Sequence, residues 1–100
     1  MRNYEIMFIV RPTLGEDEIK KVAAGFQKTL ESEGAKVTHV DAWGQKTLAY
    51  EIKVGRNVYK SGYYFVVNIE ANDDKAVKEF DRLALISQDI IRHIIINKED

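Results

Sequence analysis

Two histidines are the residues that could act as general bases near neutral pH, so they are the first candidates for chemistry. His39 lies in a strand-like segment two residues before Asp41, and His93 follows Arg92 near the end of the chain. Nucleophilic catalysis needs a nucleophile held against such a base. Neither histidine has a neighbouring Ser, Cys or pair of carboxylates. We therefore interpret both as ordinary histidines and expect no catalytic residues.

The sequence also offers few residues suited to metal binding, thiol chemistry or phosphate binding. The chain has no cysteine, which excludes disulfides and thiolate sites. Asp73-Asp74 opens a helical pattern and is typical of helix capping rather than metal ligation. The one glycine before the first helix, Gly15, is followed by Glu16 and Asp17, which repel phosphate. The sequence therefore predicts no metal, no cofactor and no small-molecule substrate.

Charge is unevenly distributed although the net charge is only −1. Segments 13–35 and 70–84 each carry five acids and three bases, whereas segment 36–60 carries five bases and two acids. If segment 36–60 forms one structural unit, we expect an anionic partner to meet the middle of the chain.

Hydrophobic periodicity predicts six elements in the order β-α-β-β-α-β. The strands lie at 3–10, 37–52, 63–69 and 90–96. The first helix has an apolar stripe from Ile19 to Leu30 and ends at Gly34; the second has one from Ala76 to Ala84 and is capped by Asn72 or Asp73. Sixteen extended residues are too long for one flat strand of a small domain, so we expect a bend or bulge at Gly44.

This order predicts an α+β, ferredoxin-like fold, a four-stranded antiparallel sheet with two helices on one face. We expect one domain over residues 1–97 and a short polar tail over 98–100. Alternation predicts which side chains lie under the helices: Ile6, Phe8, Val10, Phe65, Val67, Ile69, Ile94 and Ile96. The opposite, open face is predicted to carry Asn3, Glu5, Met7, Ile9, Tyr64, Val66, Asn68, His93 and Ile95, and is apolar enough to hold a partner.

One segment resembles a known family signature, namely Trp43-Gly44-x-Lys46-x-Leu48-Ala49-Tyr50-x-Ile52. It is similar to that of bacterial small-subunit ribosomal protein six. The start also matches, with Met1-Arg2-x-Tyr4-Glu5 followed by an apolar strand and Arg11-Pro12. Further matches follow in order at Gly34, at Gly62-Tyr63-Tyr64 and at Ile91-Arg92-His93. The resemblance covers essentially the whole chain.

The resemblance implies a ferredoxin-like structural binder of the small ribosomal subunit, located in the cytoplasm. It implies binding to the central domain of small-subunit ribosomal RNA together with small-subunit ribosomal protein eighteen. Carried over by position, it implies RNA contacts at Arg2, Tyr4, Lys46, Tyr50 and Arg92. We expect Trp43, Tyr64 and His93 to meet the protein partner, Trp43 because a large aromatic beside a bend is a natural anchor.

This sequence departs from the family pattern at two places in the second strand. Gln45 and Thr47 flank Lys46 where the family usually has a run of arginines, and Glu51 replaces a usual proline. Gln45 and Thr47 lower the local positive charge, and Glu51 changes the protection of the strand edge. Because the chain's overall charge is modest, we expect weak RNA binding without the partner.

Two other classes of function compete with the ribosomal one, because the same order of elements serves many functions. A ligand-sensing or regulatory domain would usually be a homodimer. A small enzyme would need a polar pocket on the open face, and Met7, Ile9, Val66 and Ile95 supply no acid or base there. The first residues are too charged, and every apolar run is too short, for a signal peptide or a membrane span, so we expect the cytosol.

Overall fold

The computed structural model describes residues 2–98 and contains six elements in the predicted order. They are β1 (Arg2–Val10), α1 (Glu16–Ser32), β2 (Lys36–Val54), β3 (Asn57–Ala71), α2 (Lys75–Ile86) and β4 (Ile90–Asn97). The strands form one antiparallel sheet in the order β2-β3-β1-β4. The predicted ferredoxin-like fold is confirmed, and β2 and β3 are both longer than predicted.

The core lies between the two helices and one face of the sheet. Phe8 of β1 and Phe65 of β3 stack with ring centroids 5.3 Å apart. Phe26 of α1 and Phe80 of α2 pack on them, with their own centroids 5.1 Å apart. Directly opposite residues of an antiparallel pair share a face, so the register Phe8↔Phe65 fixes Ile6, Val10 and Val67 on the helix side as predicted.

Both helices bury the predicted stripes, and α1 ends as predicted. Gly34 has φ +93° and its N–H donates to the carbonyl of Glu31, while the N–H of Ala35 donates to Leu30. This pair of bonds is the Schellman motif, which requires the left-handed backbone that glycine adopts without strain. In α2 the N-cap is Asp74 rather than Asn72 or Asp73, and the Asp73 carboxylate accepts a bond from the N–H of Lys75.

The predicted faces of β4 are wrong. The register between β1 and β4 shifts between Ile9 and Val10. As a result, Phe8 pairs with His93 and Ile6 pairs with Ile95. His93 and Ile95 therefore lie on the helix side. The open face receives Ile91, Arg92, Ile94 and Ile96, while Ile90 lies in the helix-side core.

The end of β4 is held to β1, since the N–H of Lys98 donates to Asn3 and its ammonium lies 3.2 Å from a carboxylate oxygen of Glu5. Residues 99 and 100 of the predicted tail lie outside the described residues. Between residues 2 and 98, the helices of 17 and 12 residues do not combine the length and apolar character that crossing a membrane requires.

Candidate RNA and protein interface

The long β2–β3 hairpin bulges where the sequence predicts a bend. Ala42 pairs with Phe65 and Gly44 pairs with Tyr64, so Trp43 is an extra residue with no partner across the ladder. Gly44 has φ +80°, a backbone conformation that residues other than glycine rarely adopt. Alternation from Ala42 already places Trp43 on the open face, and the extra residue brings Lys46, which pairs with Gly62, to the same face.

Trp43, Tyr64 and Lys46 form one cluster on the open face. The Trp43 and Tyr64 rings stack with centroids 6.3 Å apart and planes 9° apart. The ammonium of Lys46 lies 5.7 Å from the centre of the Trp43 ring, within cation–π range. Half of the Trp43 surface remains exposed, so the stack presents a rigid apolar face with an adjacent positive charge.

The distal part of the hairpin curls over the open face. Thr47 pairs with Ser61 and Ile52 pairs with Tyr59, so four residues of β2 oppose the single residue Lys60 of β3. This excess lets the strand bend, and its apolar side chains pack on a second small core formed by Ile9, Tyr59 and Ile91. Segment 36–60 therefore lies within one hairpin, which continues along β3 to Ala71.

A concavity of about 190 Å³ lies beneath this curl, and we call it the open-face cavity. Its walls include Met7 and Ile9 of β1, Leu48 and Tyr50 of β2, and Arg92 and Ile94 of β4. Tyr50 is 86% exposed. The structure thus brings two of the predicted RNA-contacting residues, Tyr50 and Arg92, to the same face as the predicted partner-contacting residues Trp43 and Tyr64.

Positive charge continues to the end of the hairpin at Lys53 and Arg56. Within residues 2–98, no carboxylate lies at ion-pair distance from either of them, nor from Lys46 or Arg92. Lys60 lies 3.7 Å from Glu51, but both side chains are exposed. Segment 36–60 still carries five cationic side chains against two carboxylates, so its charge is positive.

Arg2 and Tyr4 lie at the other end of the sheet from the hairpin tip, beside β4 and the end of β3. The Tyr4 ring is 5% exposed within the core, and its hydroxyl accepts a hydrogen bond of 3.4 Å from the Arg2 guanidinium. The ring therefore cannot stack on a base, and the arrangement supports a positioning role toward Arg2 instead.

His93 does not lie on the open face where it was predicted. Its Nε2 is 2.7 Å from a carboxylate oxygen of Asp81, and its ring meets Phe80 edge-on with centroids 5.8 Å apart. Only 15% of the side chain is exposed. The contact with a protein partner stays a prediction, and it would have to come from the helix side.

The sequence patterns did not indicate the open-face cavity, and they did not single out the cations Lys53 and Arg56. The residues that line the cavity are far apart in the sequence, so no local sequence pattern predicts it. The two cations could have been found from the charge of segment 36–60 once the turn at Gly55-Arg56 was placed at the tip of a projecting hairpin. In the described part of the chain, no three histidine or acidic side chains are grouped so as to hold a metal ion.

The family model for ribosomal protein S6 matches residues 3–97. The chain belongs to the ribosomal protein S6 family. Members of this family are structural, non-enzymatic proteins of the small ribosomal subunit, so the role of this chain is a structural one in the ribosome. The resemblance inferred from the Trp43-to-Ile52 signature is thereby confirmed.

Two solved structures are similar to this chain. The crystal structure of 30S ribosomal protein S6 from Thermotoga maritima is similar with a TM-score of 0.88 and 26% identity, covering 97% of this chain and 87% of that chain. The solution structure of the C-terminal domain of the MgtC protein from Mycobacterium tuberculosis has a TM-score of 0.63 at 10% identity, covering 99% and 89%. The second likeness shows a shared fold alone.

Proposed function

We propose that the chain binds the central domain of small-subunit ribosomal RNA together with small-subunit ribosomal protein eighteen, and that it does so in the cytoplasm as part of the ribosome. The observation that supports this is the hairpin, which carries the Trp43–Tyr64 stack beside Lys46 and, nearer its tip, Lys53 and Arg56. Cations without carboxylate partners bind phosphates by releasing counterions, and a half-exposed aromatic stack suits a protein partner.

The predicted RNA contacts fit this proposal to different degrees. Lys46 supports it best, because its ammonium is exposed and lies beside Trp43. Arg2 supports a second contact at the far end of the sheet, with Tyr4 holding its guanidinium. Tyr50 is exposed enough to stack on a base.

Few cations serve this binding, so the isolated chain should hold RNA weakly. Each phosphate contact contributes about one unit of salt dependence to the binding constant, and the hairpin offers only a handful. A partner protein already seated on the RNA would add contacts without adding cations to this chain.

The test is a titration of the labelled central-domain RNA with this chain alone, with protein eighteen alone and with both proteins. We expect weak binding of this chain alone and strong binding of the mixture, with a salt slope larger than either protein shows by itself. Tight binding that does not depend on the partner would contradict the proposal, as would no gain from mixing the two proteins.

The alternative function, a ligand-sensing homodimer, predicts different behaviour in solution. It requires a dimer by light scattering and a ligand that raises the melting temperature. A monomer that binds ribosomal RNA only with its partner would exclude it. No feature of residues 2–98 specifically favours it over the ribosomal role.

A further inference from the structure

A groove runs between the two helices on the side of the sheet opposite the open face, and we call it the helix groove. Its walls are mainly apolar, with Val22 and Phe26 on α1 and Leu83 and Ile86 on α2. Its volume is about 530 Å³, within the range of clefts that bury a ligand. Ile86 is 68% exposed, so the groove keeps apolar surface that the fold itself does not cover.

Gly25 lies in the groove, in the interior of α1. Glycine is unfavourable in the interior of a helix relative to alanine. A Cβ at Gly25 would meet nothing within 4 Å, so packing within this chain does not require a glycine at this position. The missing side chain leaves the backbone of α1 open, which allows a side chain from outside to approach it closely.

The helix layer around the groove is negatively charged. Segments 13–35 and 70–84, which include most of both helices, each carry five acids against three bases. The last turns of α1 and α2 contain no basic residue, so the negative ends of the helix dipoles are not neutralised there. Asp89 also lines the groove. One of its oxygens accepts a hydrogen bond of 2.8 Å from Arg11, and a carboxylate can accept further bonds at the other.

This charge distinguishes among the possible occupants of the groove. RNA and anionic lipid surfaces carry the same sign of charge as the helix layer and are disfavoured. A second copy of the chain would bring an identical negative layer against this one. A helix with lysines and arginines beside an apolar stripe complements both the apolar walls and the charge around them.

We propose that the helix groove binds a basic amphipathic helix of another protein, with an apolar side chain of that helix seated over Gly25. The inference goes beyond the proposed function, because the groove lies on the opposite side of the sheet from Trp43 and Tyr64. The chain then carries a second protein-binding surface that remains accessible when the open face is covered.

The probe is a labelled synthetic peptide of alanine, leucine and lysine, about 14 residues long, with its leucines at helical spacing. A matched peptide carries glutamate in place of lysine. Each is titrated with the full chain by anisotropy at physiological salt, where charges more than about 8 Å apart are largely screened. We expect the basic peptide to bind at least tenfold more tightly than the acidic one.

Two leucine variants locate the binding. Gly25→Leu fills the groove, whereas Ala24→Leu places the same side chain at an exposed neighbouring position that does not line it. Gly25→Leu should weaken binding of the basic peptide at least tenfold, and Ala24→Leu less than twofold. If circular dichroism shows that Gly25→Leu is unfolded, Ile86→Ala in the groove wall and Leu85→Ala beside it carry the same comparison.

Two lysine variants test the charge at the groove. Lys21 lines the groove and is exposed, so its charge should repel a basic helix locally. Lys21→Glu should therefore tighten binding of the basic peptide at least threefold. Lys20→Glu changes the net charge equally at an exposed position outside the groove and should have a smaller effect. Equal effects of the two variants would indicate attraction to the whole chain and would contradict docking in the groove.

Three further outcomes overturn the inference. Equal binding of the basic and acidic peptides rejects the stated chemistry of the partner. Wild-type affinity of a folded Gly25→Leu for the basic peptide removes the groove from the binding site. A dimer seen by light scattering that Gly25→Leu dissociates assigns the groove to a second copy of the chain. None of these measurements uses ribosomal RNA or protein eighteen, so failure here leaves the proposed function standing.

Discussion

The aromatic rings on the two faces of the sheet differ in exposure. On the helix face, Phe8 and Phe80 are at most 1% exposed and lie with centroids 5.7 Å apart. On the open face, the Trp43 and Tyr64 rings stack at 6.3 Å while Trp43 stays 50% exposed. The helix-side rings have already gained their burial free energy on folding. The open-face rings still have exposed apolar surface, and burying that surface against a partner would release further free energy.

Because successive side chains of a strand point to opposite faces of the sheet, one strand can supply residues for stability on one face and residues for binding on the other. In β3, Phe65 contributes to the core while the adjacent Tyr64 contributes to the exposed stack. Substitutions at neighbouring positions should therefore affect different measurements, which makes the comparison testable.

The largest effect is expected for Phe80→Ala. Its ring is fully buried and touches Phe8, Phe26 and His93, so its loss should leave a cavity and reduce the free energy of unfolding by about 3–5 kcal/mol. Urea unfolding followed by circular dichroism measures this. A loss of less than about 1 kcal/mol would show that the helix face can repack and would break the contrast between the faces.

Gly62→Ala tests close packing on the open face. A Cβ at Gly62 would lie 2.3 Å from Cγ2 of Ile9, so the variant should be destabilised by about 1–3 kcal/mol in urea. Gly25→Ala in α1 is the matched control, since its Cβ meets nothing within 4 Å. The control should be more stable than wild type by about 0.5–1 kcal/mol because alanine favours the helix interior. The same sign for both variants would contradict this.

Trp43→Ala is the open-face counterpart of Phe80→Ala. It should weaken binding to protein eighteen at least tenfold, about 1.4 kcal/mol, while changing the free energy of unfolding by less than about 1 kcal/mol. Calorimetric titration and urea unfolding of the same sample measure the two quantities. A stability loss as large as that of Phe80→Ala would show that Trp43 belongs to the folding core.

Lys46→Ala should weaken RNA binding of the assembled complex by about 1 kcal/mol and reduce the salt slope by about one charge. Lys28→Ala is the matched control, because Lys28 is an exposed lysine of α1 in the helix layer. Anisotropy titrations at several salt concentrations measure both. Equal slopes for the two variants would remove Lys46 from the RNA contacts.

The smallest effect is expected for Lys78→Ala, away from the open face. A hydrogen bond from Lys78 lowers the pKa of Asp74, and the variant should return that pKa toward its usual value. A lowered pKa contributes stability above the ordinary pKa that is lost as the pH falls through the folded-state value. Wild type and variant should therefore converge in acid, as NMR titration and unfolding curves would show. Both groups are exposed, so the difference at neutral pH is small.

The order of elements and the helix-side core were predictable because each carries a local signal. Stripes at helical spacing located α1 and α2, and Gly34 located the end of α1. Alternation located the faces of β1 and β3. These patterns follow from backbone periodicity, which needs no knowledge of the partner strand.

The faces of β4 were not predictable from alternation, because Ile94, Ile95 and Ile96 are equally apolar on both faces. Only pairing with β1 sets the register, and the shift beyond Ile9 reverses the parity that a regular strand would have. The error moved His93 to the wrong face and hid its pairing with Asp81.

The candidate site was predictable in its residue types but not in its shape. Gly44 indicated the bulge, and Trp43 and Lys46 were identified beside it. The open-face cavity depends on the four residues of β2 that oppose Lys60, an excess that no sequence pattern indicates. The burial of Tyr4 follows from its parity with Ile6, whereas the family resemblance alone places it among the RNA contacts.

Under the proposed function, the hairpin that joins the Trp43 stack to the cations near Arg56 would couple binding of the protein partner to binding of the RNA. A ligand that immobilises this arm at one end reduces the motion that a second ligand must still restrict at the other, so each raises the affinity of the chain for the other. Thermodynamic linkage makes the two enhancement factors equal. Assembly on the ribosome would then respond to the concentration of either ligand, whichever arrives first.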